Sequence, residues 1–167
     1  MNTGRSDSII KAWHQRTTVL DRFSFTCRRT FNTSPEVLFP LLCPTTEFDW
    51  LPGFECELLH SKSGYAEYNA VFKTNVFGPE EIWICTRYET NKAVDYASVS
   101  EDTCGKLDIS LVDNCDGTVT GTWVVTRSAL TPELRWSKAE IEQGKARLSQ
   151  ILDWLEHYIT TGEMVTR

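Results

Sequence analysis

No run in the 167-residue chain approaches the roughly 18 consecutive apolar residues that a membrane-spanning helix requires. The first stretch, MNTGRSDSIIKAWHQ, lacks the basic, apolar and small-residue succession of a secretory signal. The six cysteines are therefore expected to be reduced thiols in the cytoplasm, most of them acting as small buried apolar side chains. None of Cys27, Cys43, Cys56, Cys85, Cys104 and Cys115 forms a C-x-x-C pair, and His14, His60 and His157 lie far apart, so no ligand spacing points to a metal. No metal and no cofactor is expected. Basic charge is also short: 17 Lys and Arg against 23 Asp and Glu leave a net charge of -6. Such a chain offers no positive field for phosphate, so a nucleic-acid partner is excluded from the expectation, and Arg28-Arg29 reads as solvated strand positions. G-x-S-x-G, a phosphate loop, a dinucleotide fingerprint and H-E-x-x-H are all missing, which weighs against the common hydrolase, kinase and dehydrogenase chemistries.

What is present is ordered. Hydrophobic residues make up 41% of the chain, as in ordinary globular proteins, and without repeats or linkers the length fits one core. Residues 1–19 read as an N-terminal extension with a short amphipathic piece from Ser8 to Gln15. From Leu20 to Phe31 the pattern has period two, with Phe23, Phe25, Cys27 and Phe31 on one face; Arg29 breaks that row and is expected to mark the end of the core. Ser34-Pro35-Glu36 is a helix start, and Pro40 splits the turns that follow. A second stop and start, Cys43-Pro44-Thr45-Thr46-Glu47, leads into Phe48-Asp49-Trp50-Leu51-Pro52-Gly53, giving two short helices.

Six further strands are expected at Phe54–His60, Tyr65–Thr74, Glu81–Tyr88, Ala93–Glu101, Lys106–Val112 and Thr118–Arg127. They are separated by turn sequences such as Ser61-Lys62-Ser63-Gly64 and Asn114-Cys115-Asp116-Gly117. Connections this short imply an antiparallel meander. The last stretch, Thr131 to Thr161, carries Ile141, Leu148, Ile151, Leu152, Leu155, Tyr158 and Ile159 at helical spacing. Its start is signalled twice, by Thr131-Pro132-Glu133 and by the capping box Ser137…Glu140, and Gly162 marks its end. The fold class is α+β: helices on one side of a seven-stranded antiparallel sheet.

This order, together with Phe31-Asn32-Thr33-Ser34-Pro35-Glu36-Val37-Leu38-Phe39, Glu47-Phe48-Asp49-Trp50-Leu51-Pro52-Gly53 and Leu155-Glu156-His157-Tyr158, resembles bacterial-type members of the SRPBCC superfamily. That group includes START lipid-transfer domains, birch-pollen-allergen-like proteins and polyketide cyclase/dehydrases. The resemblance spans residues 20–164. It implies the helix-grip fold, a curved sheet wrapped around a long C-terminal helix, with an apolar cavity between them for a lipid-like or aromatic molecule.

Several residues are candidates for the wall of that cavity. Small Ala66 and Ala70 alternate with Tyr68 and Phe72, a pattern able to leave a hollow. Trp50, Trp83, Tyr96 and Trp123 carry polar tips that can orient an apolar ligand. The fourth strand is apolar on both faces, Ile82 and Ile84 against Trp83 and Cys85, so its register stays open. On the helix, Gly144 lies one turn before Leu148, with Ile151 and Leu155 beyond, and a missing side chain there widens a cavity or admits a strand. The expected function is binding of a hydrophobic or aromatic small molecule. Alternatives are a cyclase/dehydratase-type enzyme, with His60, Arg87 or Asp95 as proton carrier, and a non-catalytic protein-interaction module. The protein is expected as a monomer or, through edge strands, a homodimer.

Overall fold

The computed structural model describes residues 19–75, 78 and 80–166, so the Ser8–Gln15 piece lies outside the described residues. The alternating first segment forms β1 (Arg22–Phe31). It is followed by a single helical turn, α1 (Pro35–Leu38), and by 3-10 turns at Phe39–Leu42 and Glu47–Asp49. Then come β2 (Cys56–His60), β3 (Val71–Thr74), β4 (Glu81–Glu89), β5 (Ala93–Val99), β6 (Thr103–Asp113) and β7 (Val119–Ala129). The long helix α2 (Lys138–Thr161) closes the domain. The strands make one seven-stranded sheet in the order β1-β7-β6-β5-β4-β3-β2, every neighbouring pair antiparallel. The expected α+β architecture is the observed one. Among the described residues, no helix is long and apolar enough to cross a membrane.

Alternation along the strands decides what faces α2. Phe25 and Phe31 of β1, Phe72 of β3, Trp83 and Cys85 of β4, Tyr96 of β5, Ile109 and Leu111 of β6 and Trp123 of β7 are all buried. They form one cluster with Leu148, Ile151, Leu152 and Leu155 of α2. Each such side chain contributes about 1.5–3 kcal/mol when it leaves water. The open register of the fourth strand is thereby settled: Trp83 and Cys85 point inward, while Ile82 (47% exposed) and Ile84 (37%) lie on the outer face.

Three local expectations are corrected. The segment expected as Tyr65–Thr74 is a strand only from Val71. Asn69 adopts a left-handed φ of 67°, and the Ala70 amide donates to the Glu67 carbonyl at 3.0 Å, so the chain turns there. Ala66 and Ala70 are buried, but Tyr68 is 64% exposed, turned out by the same bend. Arg29 is not the end of the core-facing row. It keeps the inward parity of β1 and binds α2 through Asp153 Oδ1 (2.7 Å) and Glu156 Oε2 (2.9 Å).

Of the two helix starts, the capping box prevails. The Ser137 hydroxyl accepts from the Glu140 amide at 3.2 Å, and Glu140 Oε2 accepts from the Ser137 amide at 2.7 Å. Residues 131–136 run as a connection tied to the sheet, where the Trp136 amide donates to Asp21 Oδ2 at 2.9 Å and the Trp136 ring stands edge-on to Phe23. Gly162, at φ 73°, ends the helix in the left-handed conformation that glycine adopts without strain.

Candidate functional site

Helix α2 does not sit evenly on the sheet. Its buried residues begin at Leu148; every residue from Lys138 to Arg147 is half-buried or exposed. Two spaces result. Under the C-terminal half is a cavity of about 60 Å³. Its walls are Trp50, Leu51 and Phe54 from the connection before β2, Phe72, Trp83, Tyr96, Ile109 and Trp123 from the sheet, and Leu148, Ile151, Leu152 and Leu155 from α2. Beside the N-terminal half lies a groove of about 590 Å³ bordered by Phe23, Phe25, Trp83 and Trp136, with Gln143, Gly144 and Arg147 on the helix side. Trp83, Leu107 and Leu148 border both spaces.

The sheet side of the groove carries a linked polar cluster. Arg127 Nη1 donates to Glu81 Oε1 and, at 3.0 Å, to Ser98 Oγ, and its guanidinium lies 5.5 Å from the centre of the Trp83 ring. Gly105 makes this possible: a β-carbon there would come within 2.7 Å of Arg127 Nη1 and 2.8 Å of Ser98 Oγ. Gly144 has a different role. A β-carbon there would meet the Phe25 ring at 3.6 Å, an ordinary contact, so close packing does not demand glycine and the missing side chain leaves groove volume.

In the cavity, two polar tips of the aromatic wall, those of Trp50 and Tyr96, are engaged. Trp50 Nε1 donates to the Leu41 carbonyl at 2.9 Å, and Tyr96 Oη donates to the Leu42 carbonyl at 3.1 Å. The Tyr96 bond ties the Phe39–Leu42 turn to β5, and the Trp50 bond ties it to the connection before β2. Glu47, in contrast, lines the cavity with neither a hydrogen-bond donor nor a cation on its carboxyl among the described residues. Although the residue as a whole is half-buried, burial of its carboxyl pushes the pKa up to about 8. Burial also drives the thiols of Cys56 and Cys85 up, to about 12 and about 11, and raises the Tyr96 phenol well above its usual range.

The structure thus brings Trp50, Phe72, Trp83, Tyr96, Trp123, Leu148, Ile151 and Leu155 around one cavity and places Gly144 on the adjoining groove. Tyr68 lies apart, on the surface. The three proton-carrier candidates also lie apart. His60 ends β2 in solvent because a bulge between Leu58 and His60 reverses the alternation that would have turned it inward. Arg87 and Asp95 are on the outer face of the sheet, where Asp95 lies 4.0 Å from Arg87 and 3.9 Å from Lys106. Burial, with Asp108 directly across the strand pair, raises the Asp95 carboxyl. No group of His, Cys, Asp and Glu among the described residues is arranged to hold a metal ion.

Glu47 was not among the sequence candidates, yet a signal existed. The Trp50 and Leu51 amides both donate to the Glu47 carbonyl, so one turn places the acid beside two buried apolar residues.

No family model matches the sequence, and no curated protein matches it. Solved structures match at the level of fold. Ara h 8.0201 superposes with a TM-score of 0.62 at 15% identity, covering 84% of this chain and 99% of its own. A START superfamily protein from Mycobacterium smegmatis gives 0.61 at 11% identity over 82% and 97%. DynU16, a protein of the dynemicin biosynthetic locus, gives 0.62 at 12% identity over 84% of this chain and 48% of its own. The chain shares the helix-grip fold with these structures, a seven-stranded antiparallel sheet around a long C-terminal helix.

Proposed function

We propose that the protein binds a hydrophobic or aromatic small molecule between the sheet and α2, the body of the ligand lying in the groove beside the N-terminal half of the helix. One observation carries this reading. A space of about 590 Å³ bordered by Phe23, Phe25, Trp83 and Trp136 adjoins the part of α2 that buries no residue of its own. Ligand pockets typically measure about 300–1,000 Å³ and are mostly apolar with some polar groups, here Glu81 and Arg127 on the sheet side and Glu140, Gln143 and Arg147 on the helix side. The 60 Å³ cavity is too small for a whole ligand, but a ring or short chain end entering past Trp83 and Leu148 fits its aromatic walls.

The fold that the chain shares with a START superfamily protein agrees with this reading. A cyclase- or dehydratase-type reaction finds less support, because His60, Arg87 and Asp95 border neither space. The test is native mass spectrometry of protein purified from its own host, with organic extraction of any bound molecule, joined to thermal shifts with fatty acids, sterols and polyphenols. A co-purifying apolar compound, or a saturable rise in melting temperature with one class, is expected. An empty protein that no class stabilises would contradict the reading.

A further inference from the structure

The cavity beneath the C-terminal half of α2 is apolar on nearly every side, and one carboxyl, that of Glu47, lines it without a hydrogen-bond donor or cation among the described residues. The helix contributes only Leu148, Ile151, Leu152 and Leu155 to the wall. The titratable groups that interact with Glu47 from the other elements are the Cys56 thiol of β2 and the Tyr96 phenol of β5. The Cys43 thiol of the preceding turn and the Cys85 thiol of β4 adjoin that pair. None of these groups carries positive charge. The Tyr96 hydroxyl and the Trp50 indole already donate to backbone carbonyls, so neither is available to a ligand without breaking a bond that holds the wall.

An unpaired carboxyl in apolar surroundings keeps its proton, since burying the ion without a partner costs far more than burying the acid. A neutral carboxylic acid is a strong hydrogen-bond donor. We propose that Glu47 is the specificity-determining residue of the site: its carboxylic acid donates a hydrogen bond to a carbonyl oxygen at the end of an otherwise apolar ligand, and so selects carbonyl compounds over hydrocarbons of the same shape.

This inference rests on the ligand reading above, with the body of the molecule in the groove and its end in the cavity. An ammonium ligand is the opposite case, because it would need the ionised carboxylate and bind better as pH rises. Glu47 is pushed up to about 8, whereas Cys56 and Cys85 are pushed to about 12 and about 11, so between pH 6.5 and 9.5 the carboxyl changes charge while these thiols do not.

The experiment compares 2-acetylnaphthalene with 2-isopropylnaphthalene, which has the same shape without the oxygen, and with 2-(1-aminoethyl)naphthalene. Binding is followed by tryptophan fluorescence and calorimetry at pH 6.5 and about pH 9.5. The wild type is expected to bind the ketone about tenfold or more tightly than the hydrocarbon at pH 6.5, and to lose that preference at the higher pH while hydrocarbon affinity stays constant. Glu47→Gln, which keeps a donor of the same shape, is expected to retain the ketone preference at both pH values. Glu47→Leu is expected to abolish it at both.

Equal binding of ketone and hydrocarbon by the wild type at pH 6.5 leaves the ligand reading intact and overturns the role of Glu47. A ketone preference that does not change with pH overturns it too, as does an amine affinity that rises with pH and exceeds that of the ketone. Failure of both neutral probes to bind at all overturns the ligand reading and this inference together. Because the wild-type comparison needs no substitution, the result does not depend on whether a variant folds.

Discussion

Between Lys138 and Arg147 the long helix buries none of its residues, whereas Leu148, Ile151, Leu152 and Leu155 are all no more than 5% exposed. The first half is held at its end, by the Ser137–Glu140 box and by Trp136 against Phe23 and Asp21, touches the core only through the partly buried Ile141 and the close approach of Gly144 to Phe25, and borders a groove. The second half is held along its length, by the core and by the bonds from Arg29 to Asp153 and Glu156. One half stabilises the fold and the other leaves room. A single amphipathic helix can do both because a groove needs only an anchored end, while a core needs continuous contact.

Substitutions that treat the two halves differently should break or sharpen this contrast. The largest effect is expected from Leu155→Ala, at 1% exposure in the second half. It should destabilise the protein by about 2–5 kcal/mol in urea or guanidinium unfolding, while an alanine at Gln143 leaves stability nearly unchanged. Equal losses at both sites would contradict the division.

Glu47→Gln comes next, and its sign follows from the raised pKa. The folded protein holds the Glu47 proton up to about pH 8, whereas the unfolded chain releases it in the ordinary carboxylate range. Wild-type stability is therefore reduced progressively as pH rises from that range to about 8, with no further loss beyond it. The glutamine variant lacks this term. It should be no more stable than wild type near pH 4 and more stable by an amount on the order of 2–4 kcal/mol at pH 8. A gain that is the same at both pH values would show that the carboxyl is not desolvated.

Smaller effects test the anchored end. Ser137→Ala removes the hydroxyl that accepts from the Glu140 amide and should cost about 1 kcal/mol, measured by thermal or denaturant unfolding. Gly144→Ala should move stability in the opposite direction, by about 0.5–1 kcal/mol, because alanine favours the helix and its β-carbon meets Phe25 at a tolerable 3.6 Å. A loss of stability at Gly144→Ala would mean that the groove is closed in solution.

Much of this was legible in the chain itself. Period-two alternation located β1 and its inward Phe25 and Phe31, and the meander followed from the short turns. The Ser137…Glu140 pair and Gly162 marked both ends of α2. What could not be read depends on single residues whose conformation local pattern does not determine. Alternation placed Tyr68 inward with Phe72, but Asn69 in a left-handed conformation ends the pattern between them. The parity of His60 matched inward Leu58 until a bulge reversed it. Arg29 looked like a break in an apolar row because its partners, Asp153 and Glu156, lie more than a hundred residues away. Gly144 was visible as a missing side chain; the groove beside it was not, because the seating of a helix is a property of how it is anchored.

The central claim is that the ligand lies beside the first half of α2, and filling that space tests it most directly. Gly144→Phe adds a ring on the groove side of α2, from a position whose β-carbon lies 3.6 Å from Phe25. In parallel thermal titrations with 2-isopropylnaphthalene, the wild type should show a saturable rise in Tm. The variant should unfold near the wild-type temperature without ligand and show no rise with it. A variant that folds normally and gains the full ligand-induced shift would place the ligand elsewhere and contradict the account.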